Sequence, residues 1–466
     1  MAATIDNRIK IHEVTRITPF SNPTAEFSLP LTLFDTYWLK FLPVGRLFFY
    51  QITELTSDLF NSVVLPKLKH SLSLTLLHYL PLAGNLMWPE DTAKPAIYYF
   101  PNDGVAVTIA ESNADFNTLC GDGVREAVEF RPLTPHLSIS DDKAAPISIQ
   151  ITLFPNQGFC IGISIHHAIF DGRSSAMFMK SWACLCKQDE ENPSLPPELT
   201  PSFDRTVIKD PKGIDLVYVN NWLAFTGSDS DQNKRSLKVM PSIVDVNKLV
   251  RATFVLTRQH IKKLRDKILS ASNVNEVKLH LSTFVLTCAY VYTCMAKARG
   301  GESNRDVLLV FTADYRNRLD PPVPANYFGN CVGSHITNVK ARGLMDETGV
   351  FFVAEKLSVM IKEIENGITL EGFEDKLLKL MSLMKQAVEG AQGLGVAGSI
   401  RFDVYGSDFG WGRPKKVEIV SIDTTGAISL AESRDEDGGV EIGLVLSQQE
   451  MEIFSSLFEK GLKDIV

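Results

Sequence analysis

His167 and Asp171 are the residues of this chain whose types and spacing best suit proton transfer. They sit in the segment His166-His167-Ala168-Ile169-Phe170-Asp171-Gly172. An alternating apolar run precedes it. Side chains on a strand alternate faces, so Ile161, Ile163, Ile165 and His167 share one side, and His166 falls with Gly162 and Ser164 on the other. A histidine desolvated at the end of an apolar face stays neutral, as a general base must. The same pattern also describes a structural histidine hydrogen-bonded at a strand end. Zinc binding would need a third ligand, and none stands nearby in sequence, so no metal is expected.

A second segment, Asp408-Phe409-Gly410-Trp411-Gly412-Arg413-Pro414, alternates glycine with aromatics and closes on proline. Such a composition makes a shaped loop. Asp408 reads as the residue that pins it through hydrogen bonds, and Trp411 carries an indole N–H that could serve a developing oxyanion. Arg173 follows Asp171 by two positions. It is either a solvated or ion-paired arginine at a helix start, or a fork for a substrate carboxylate. Lys262, Lys263, Arg265 and Lys267 form a basic stretch, either an exposed helical face or a phosphate contact.

These residues need elements to hold them. Helical apolar spacing covers 58–80, with Pro66 as a break. Strands are predicted over 96–100, 105–110, 147–154 and 159–167, the last two joined through Pro155-Asn156-Gln157-Gly158. A helix is predicted over 174–186 and a loop over 187–203. Residues 204–250 lack periodicity, and the polar run 227–234 reads as an exposed crossover. The second half predicts strands at 252–256, 307–312, 417–422, 428–432 and 440–446. Helices are predicted over 258–269, with Thr257 as N-cap, 282–297 and 448–460. The expected division is 1–203, a linker over 204–250, and 251–466. The class is mixed α/β, without the regular strand–helix cadence of a parallel doubly wound fold. No phosphate loop, dinucleotide fingerprint or serine nucleophile elbow is present.

Among 466 residues, 45% are hydrophobic and 22% charged, enough for a sizeable core. The net charge of −8 argues against nucleic acid or an anionic membrane as a general partner. No secretory signal and no apolar run of spanning length is visible. The seven scattered cysteines, none in a CxxC pair, read as reduced thiols of a cytosolic protein.

HHAIFDG in mid-chain followed by DFGWGRP near the C-terminal end resembles the BAHD acyltransferases, plant coenzyme A–dependent enzymes with the signatures HxxxD and DFGWG. LPLTLFD at 29–35, LPLAGN at 80–85, LSTF at 281–284, DYRNR at 314–318 and YFGNC at 327–331 are similar to the family as well. YFGNC, FPNQG at 154–158 and VAGS at 396–399 resemble the branch acting on flavonoid and other phenolic glycosides. The resemblance implies two similar mixed-sheet domains of the chloramphenicol acetyltransferase type, joined by a crossover loop, with a channel between them. It implies malonyl-CoA, or another acyl-CoA, as donor and a phenolic glycoside as acceptor. His167 would be the general base. Asp171 would turn from the channel to pair with Arg316. Trp411 or Ser399 would donate to the oxyanion, and Lys263, Ser282 and Thr283 would dock the ADP end of coenzyme A. Arg173 would clamp the malonyl carboxylate. Tyr315 departs from the smaller residue common in the family. A cytosolic monomer is expected.

The nearest alternative exchanges malonyl for an aromatic acyl donor. A carrier-dependent condensation domain shares HHxxxDG but not DFGWGRP or YFGNC. A hydrolase lacks a nameable nucleophile, and a non-catalytic binding module would have no need of His167.

Overall fold

A computed structural model describes residues 9–464 except 22, 189–192, 227–234, 243, 272–278, 366 and 436–437. The predicted crossover 227–234 lies outside the described residues.

The first sheet has six strands in the order Ile9–Ile17, Val105–Ser112, Ile147–Phe154, Gly158–Ile165, Val44–Gln51 and Lys416–Ile419. Its centre is the predicted hairpin, in register from Phe154 opposite Gly158 to Ile147 opposite Ile165. Asn156 turns with φ 61°. Gly158 is required, because a Cβ there would stand 2.1 Å from the Tyr50 carbonyl oxygen. All sixteen hairpin strand residues are buried, since layers cover both faces.

The second sheet runs Val396–Gly398, Ile428–Glu432, Val440–Ser447, Leu249–Leu256 and Arg125–Glu126. A third joins Val332–Lys340, Asp306–Asp314 and Gln392–Leu394, and a fourth, small sheet lies in the N-terminal half. The class is mixed α/β, as expected.

The expected linker does not separate the sheets cleanly. Lys416–Ile419 comes from the C-terminal half yet pairs with Arg46–Phe49. Arg125–Glu126 comes from the N-terminal half yet pairs with Val250 and Arg251. Buried charges fasten this exchange. Lys416 Nζ donates to Asp122 at 2.8 Å and to Thr253 Oγ1 at 2.9 Å, and Glu418 meets Arg125 at 3.2 Å and Arg251 at 3.4 Å. Burial works to raise the Glu418 pKa, but Arg251, Lys416 and Arg125 together hold it below the ordinary carboxylate range.

The helical stretch predicted over 58–80 is real but broken earlier than Pro66. A π turn, Phe60–Val64, precedes the helix Leu65–His78, and Pro66 lies in the first turn of that helix. Inside 204–250, where no periodicity was evident, lies the helix Ile214–Thr226. Its Trp222 Nε1 donates to the Thr36 carbonyl at 3.1 Å.

Candidate active site

The central strand ends at Ile165, two residues short of prediction, so both histidines lie just beyond it. Asp171 then caps the helix Gly172–Lys187, its Oδ1 accepting from the Ser174 amide at 3.0 Å. Strand end and helix cap are six residues apart, which fixes the backbone on either side of His167.

His167 lines a cavity of about 1380 Å³. Its ring stacks on Trp38, with centroids 4.3 Å apart and planes 10° from parallel, and Phe41 stands 5.8 Å away. Nδ1 is sealed without a hydrogen-bond partner, leaving Nε2 as the nitrogen open to the cavity. Burial lowers the His167 pKa to about 4, while its own carbonyl and the Asp171 carboxylate pull the other way. The imidazole is therefore neutral throughout the physiological range. His166, fully buried on the opposite side, is pushed down to about 3 chiefly by burial and then by the nearness of His167 and Lys40.

Both Asp171 carboxylate oxygens are engaged by the protein. Its Oδ2 accepts from Arg316 Nη1 at 2.9 Å and from the Cys331 amide at 3.1 Å. Burial acts to raise its pKa, but Arg316 and these donors more than offset it and hold the carboxylate ionised. Arg316 also donates to the carbonyls of Tyr327 and Gly329. One interaction escaped sequence reasoning. Asn330 Nδ2 donates to the His167 carbonyl at 3.0 Å, and Asp35 Oδ1 fixes that amide at 3.1 Å. Both residues stood in resembling segments, 29–35 and 327–331, but only the fold shows that they meet. Trp38 was missed too, because a tryptophan in an apolar run looks like core.

Ser399 and Arg173 line the same cavity as His167. Arg173 Nη1 is paired with Asp314 Oδ2 at 3.2 Å, so its fork is already engaged by a carboxylate. Tyr315 is buried, its hydroxyl 2.7 Å from His335 Nε2, and Gly333 makes room for it; it is not on the cavity wall.

The second signature lies elsewhere. Asp408 Oδ1 accepts from the amides of Gly410 and Gly412 at 2.8 and 2.9 Å, and Oδ2 from Lys187 at 2.7 Å. Trp411 packs edge-on to Phe159, 5.9 Å between centroids. Phe159 and Ile165 occupy opposite ends of the central strand, roughly 20 Å apart at about 3.3 Å per residue. The indole N–H is therefore out of reach of His167, and oxyanion donation by Trp411 is set aside on geometry. Ser399, by contrast, lines the cavity.

Lys263 lies on the helix Arg258–Ala271, and Ser282 caps the helix Thr283–Arg299, accepting from the Val285 amide at 3.3 Å. Arg265 Nε donates to the Leu281 carbonyl at 3.2 Å, which joins the two helices. Lys263, Ser282 and Thr283 lie outside the walls of the His167 cavity. Among the described residues, no group of three or more metal-ligating side chains is present, no helix is long and apolar enough to cross a membrane, and all seven cysteines are free.

A profile described as the Transferase family matches residues 7–461. The chain is 45% identical over 464 residues to malonyl-CoA:anthocyanidin 5-O-glucoside-6''-O-malonyltransferase of Arabidopsis thaliana, covering 98% of this chain and 99% of that one. It is 46% identical over 461 residues to phenolic glucoside malonyltransferase 2 of the same plant, covering 97% and 99%. The crystal structure of vinorine synthase superposes with a TM-score of 0.68 at 22% identity, covering 97% of this chain and 98% of that one, a likeness of fold.

Proposed function

The chain belongs to the BAHD acyltransferases of the Transferase family, and on that premise we propose that it transfers a malonyl group from malonyl-CoA to a sugar hydroxyl of a phenolic glucoside, with His167 as general base. The observation that carries this is the neutral His167 imidazole, braced by Trp38 and opening Nε2 onto a cavity large enough for both substrates.

Nε2 removes the proton as the hydroxyl oxygen attacks the thioester carbonyl, an effect worth about 10²–10⁴ in rate. The tetrahedral oxyanion needs a donor, and the Ser399 hydroxyl on the same wall suits that task. Collapse breaks the C–S bond, and the imidazolium returns its proton to the departing thiolate. No acyl-enzyme is required. Asp171 acts through position. Ion-paired with Arg316, it caps the helix and holds the His167 turn. In this reading Lys263, Ser282 and Thr283 dock the ADP end of coenzyme A, and the protein works as a cytosolic monomer, a compartment its seven free thiols suit.

The test is purified protein incubated with malonyl-, acetyl- and coumaroyl-CoA against flavonoid and naphthol glucosides. A malonylated product from wild type and none from His167→Ala supports the reading. Exclusive coumaroyl transfer would replace the donor, and turnover by His167→Ala would remove the base.

A further inference from the structure

Arg46 differs from the buried strand arginines Arg125 and Arg251, which both meet Glu418. It lies in the middle of Val44–Gln51, opposite Ile163 on one side and Ile419 on the other. Strand alternation puts it with Phe48 on the face of Ile161, Ile163 and Ile165, the face that leads to His167. It is 3% exposed and lines the same cavity as His167. Yet Nε and Nη1 have no hydrogen-bond partner, and among the described residues no carboxylate forms an ion pair with it. Glu432 is near enough to favour its charge but not in ion-pair contact; Glu432 Oε1 accepts from the Tyr405 amide and Oε2 is buried without a hydrogen-bond partner. Burial lowers the Arg46 pKa to about 10, which still leaves it a cation at neutral pH.

A buried guanidinium with no carboxylate in direct contact is unfavourable unless a ligand supplies one. Arg173, the other arginine on the wall, differs in that its fork is bound to Asp314. We propose that Arg46 is the donor-specificity residue: its guanidinium receives the free carboxylate of the malonyl group while the thioester carbonyl lies before His167. This deepens the proposed function and rests on it. An arginine fork matches a carboxylate with two parallel bonds. Acetyl and coumaroyl groups carry no such anion, so with them the fork stays unpaired. Discrimination is strong when a substrate lacking the expected group leaves a buried polar partner unsatisfied.

The experiment measures kcat/KM for malonyl-CoA and acetyl-CoA with wild type, Arg46→Gln, Arg46→Lys and Arg173→Gln. For Arg46→Gln the malonyl-to-acetyl ratio should fall by about 10²-fold, mostly through KM for malonyl-CoA. Arg46→Lys, which keeps the charge but not the fork, should fall by about tenfold. Arg173→Gln should move the ratio least. The melting temperature of ligand-free Arg46→Gln should drop only slightly, because no internal hydrogen bond is lost and only the longer-range attraction of Glu432 goes; a structural arginine would cost far more. If Arg46→Gln does not fold, the Arg46→Lys ratio decides, and an unchanged ratio overturns the assignment. Equal losses with both donors, or a ratio abolished only by Arg173→Gln, overturn it as well. A wild type that transfers acetyl or coumaroyl but never malonyl overturns the donor reading and this assignment together. A malonyl-using wild type matched by Arg46→Gln overturns this assignment alone.

Discussion

Two signature segments meet the same central strand at opposite ends and do different work. At one end the HxxxD turn places His167 against open space, with its neighbours locked by Asp171, Arg316, Asn330 and Asp35. At the other, the DFGWG loop closes on itself around Asp408 and leads directly into Lys416–Ile419, the strand that crosses to the first sheet. The first segment sets an imidazole on the cavity wall. The second delivers a strand. Equal prominence in sequence therefore says nothing about distance from chemistry.

The comparison can be broken at several points. The largest effect is expected from His167→Ala, a fall in kcat of about 10²–10⁴; its melting temperature should stay near wild type, and a large drop there would make His167 structural. Arg316→Met leaves Asp171 charged and buried, which costs about 3–5 kcal/mol. Urea unfolding should show that loss together with reduced kcat, and stability without loss would mean that the pair holds nothing. Asp408→Ala frees two amides and Lys187 at a partly exposed site, about 1 kcal/mol. The kcat of the folded fraction should hardly change, and a fall comparable to His167→Ala would bring the loop into the reaction.

Acid should sharpen the contrast further. His166, His167 and His335 have folded pKa values of about 3, 4 and 4, each lowered first by burial, against about 6.5 when unfolded. The unfolded chain thus binds more protons between those values, so stability should fall as pH drops from about 6.5 towards 4. A flat melting temperature across that window would contradict the burial of these rings. The smallest change is expected from Trp411→Phe, which keeps the edge contact with Phe159; kcat should remain within a few-fold of wild type, roughly the scale of about 1 kcal/mol for an aromatic pair. A hundredfold fall would restore the indole to the oxyanion.

The hairpin Ile147–Ile165, the helix after Asp171 and the final helix were legible, since each has its own period and stop signal. Val44–Gln51 was not, because VGRLFFYQ is buried on both faces and shows no alternation. Val332–Lys340 hid behind glycine, serine, histidine and asparagine. Ile214–Thr226 is apolar around its whole circumference and so lacks a helical stripe. At the site, His167, Asp171 and Ser399 could be nominated from motifs. Arg46 could not, because what isolates it comes from Ile163 and Ile419, more than a hundred residues away.

The late-arriving strand has a consequence for synthesis. Val44–Gln51 pairs with Gly158–Ile165 early, but its other edge waits for Lys416–Ile419, about 250 residues downstream. At about 5–20 residues per second, the ribosome leaves that edge open for roughly 13–50 s. An unpaired apolar edge invites pairing with another nascent chain. The yield of native enzyme should therefore depend on chaperones that shield this edge during translation.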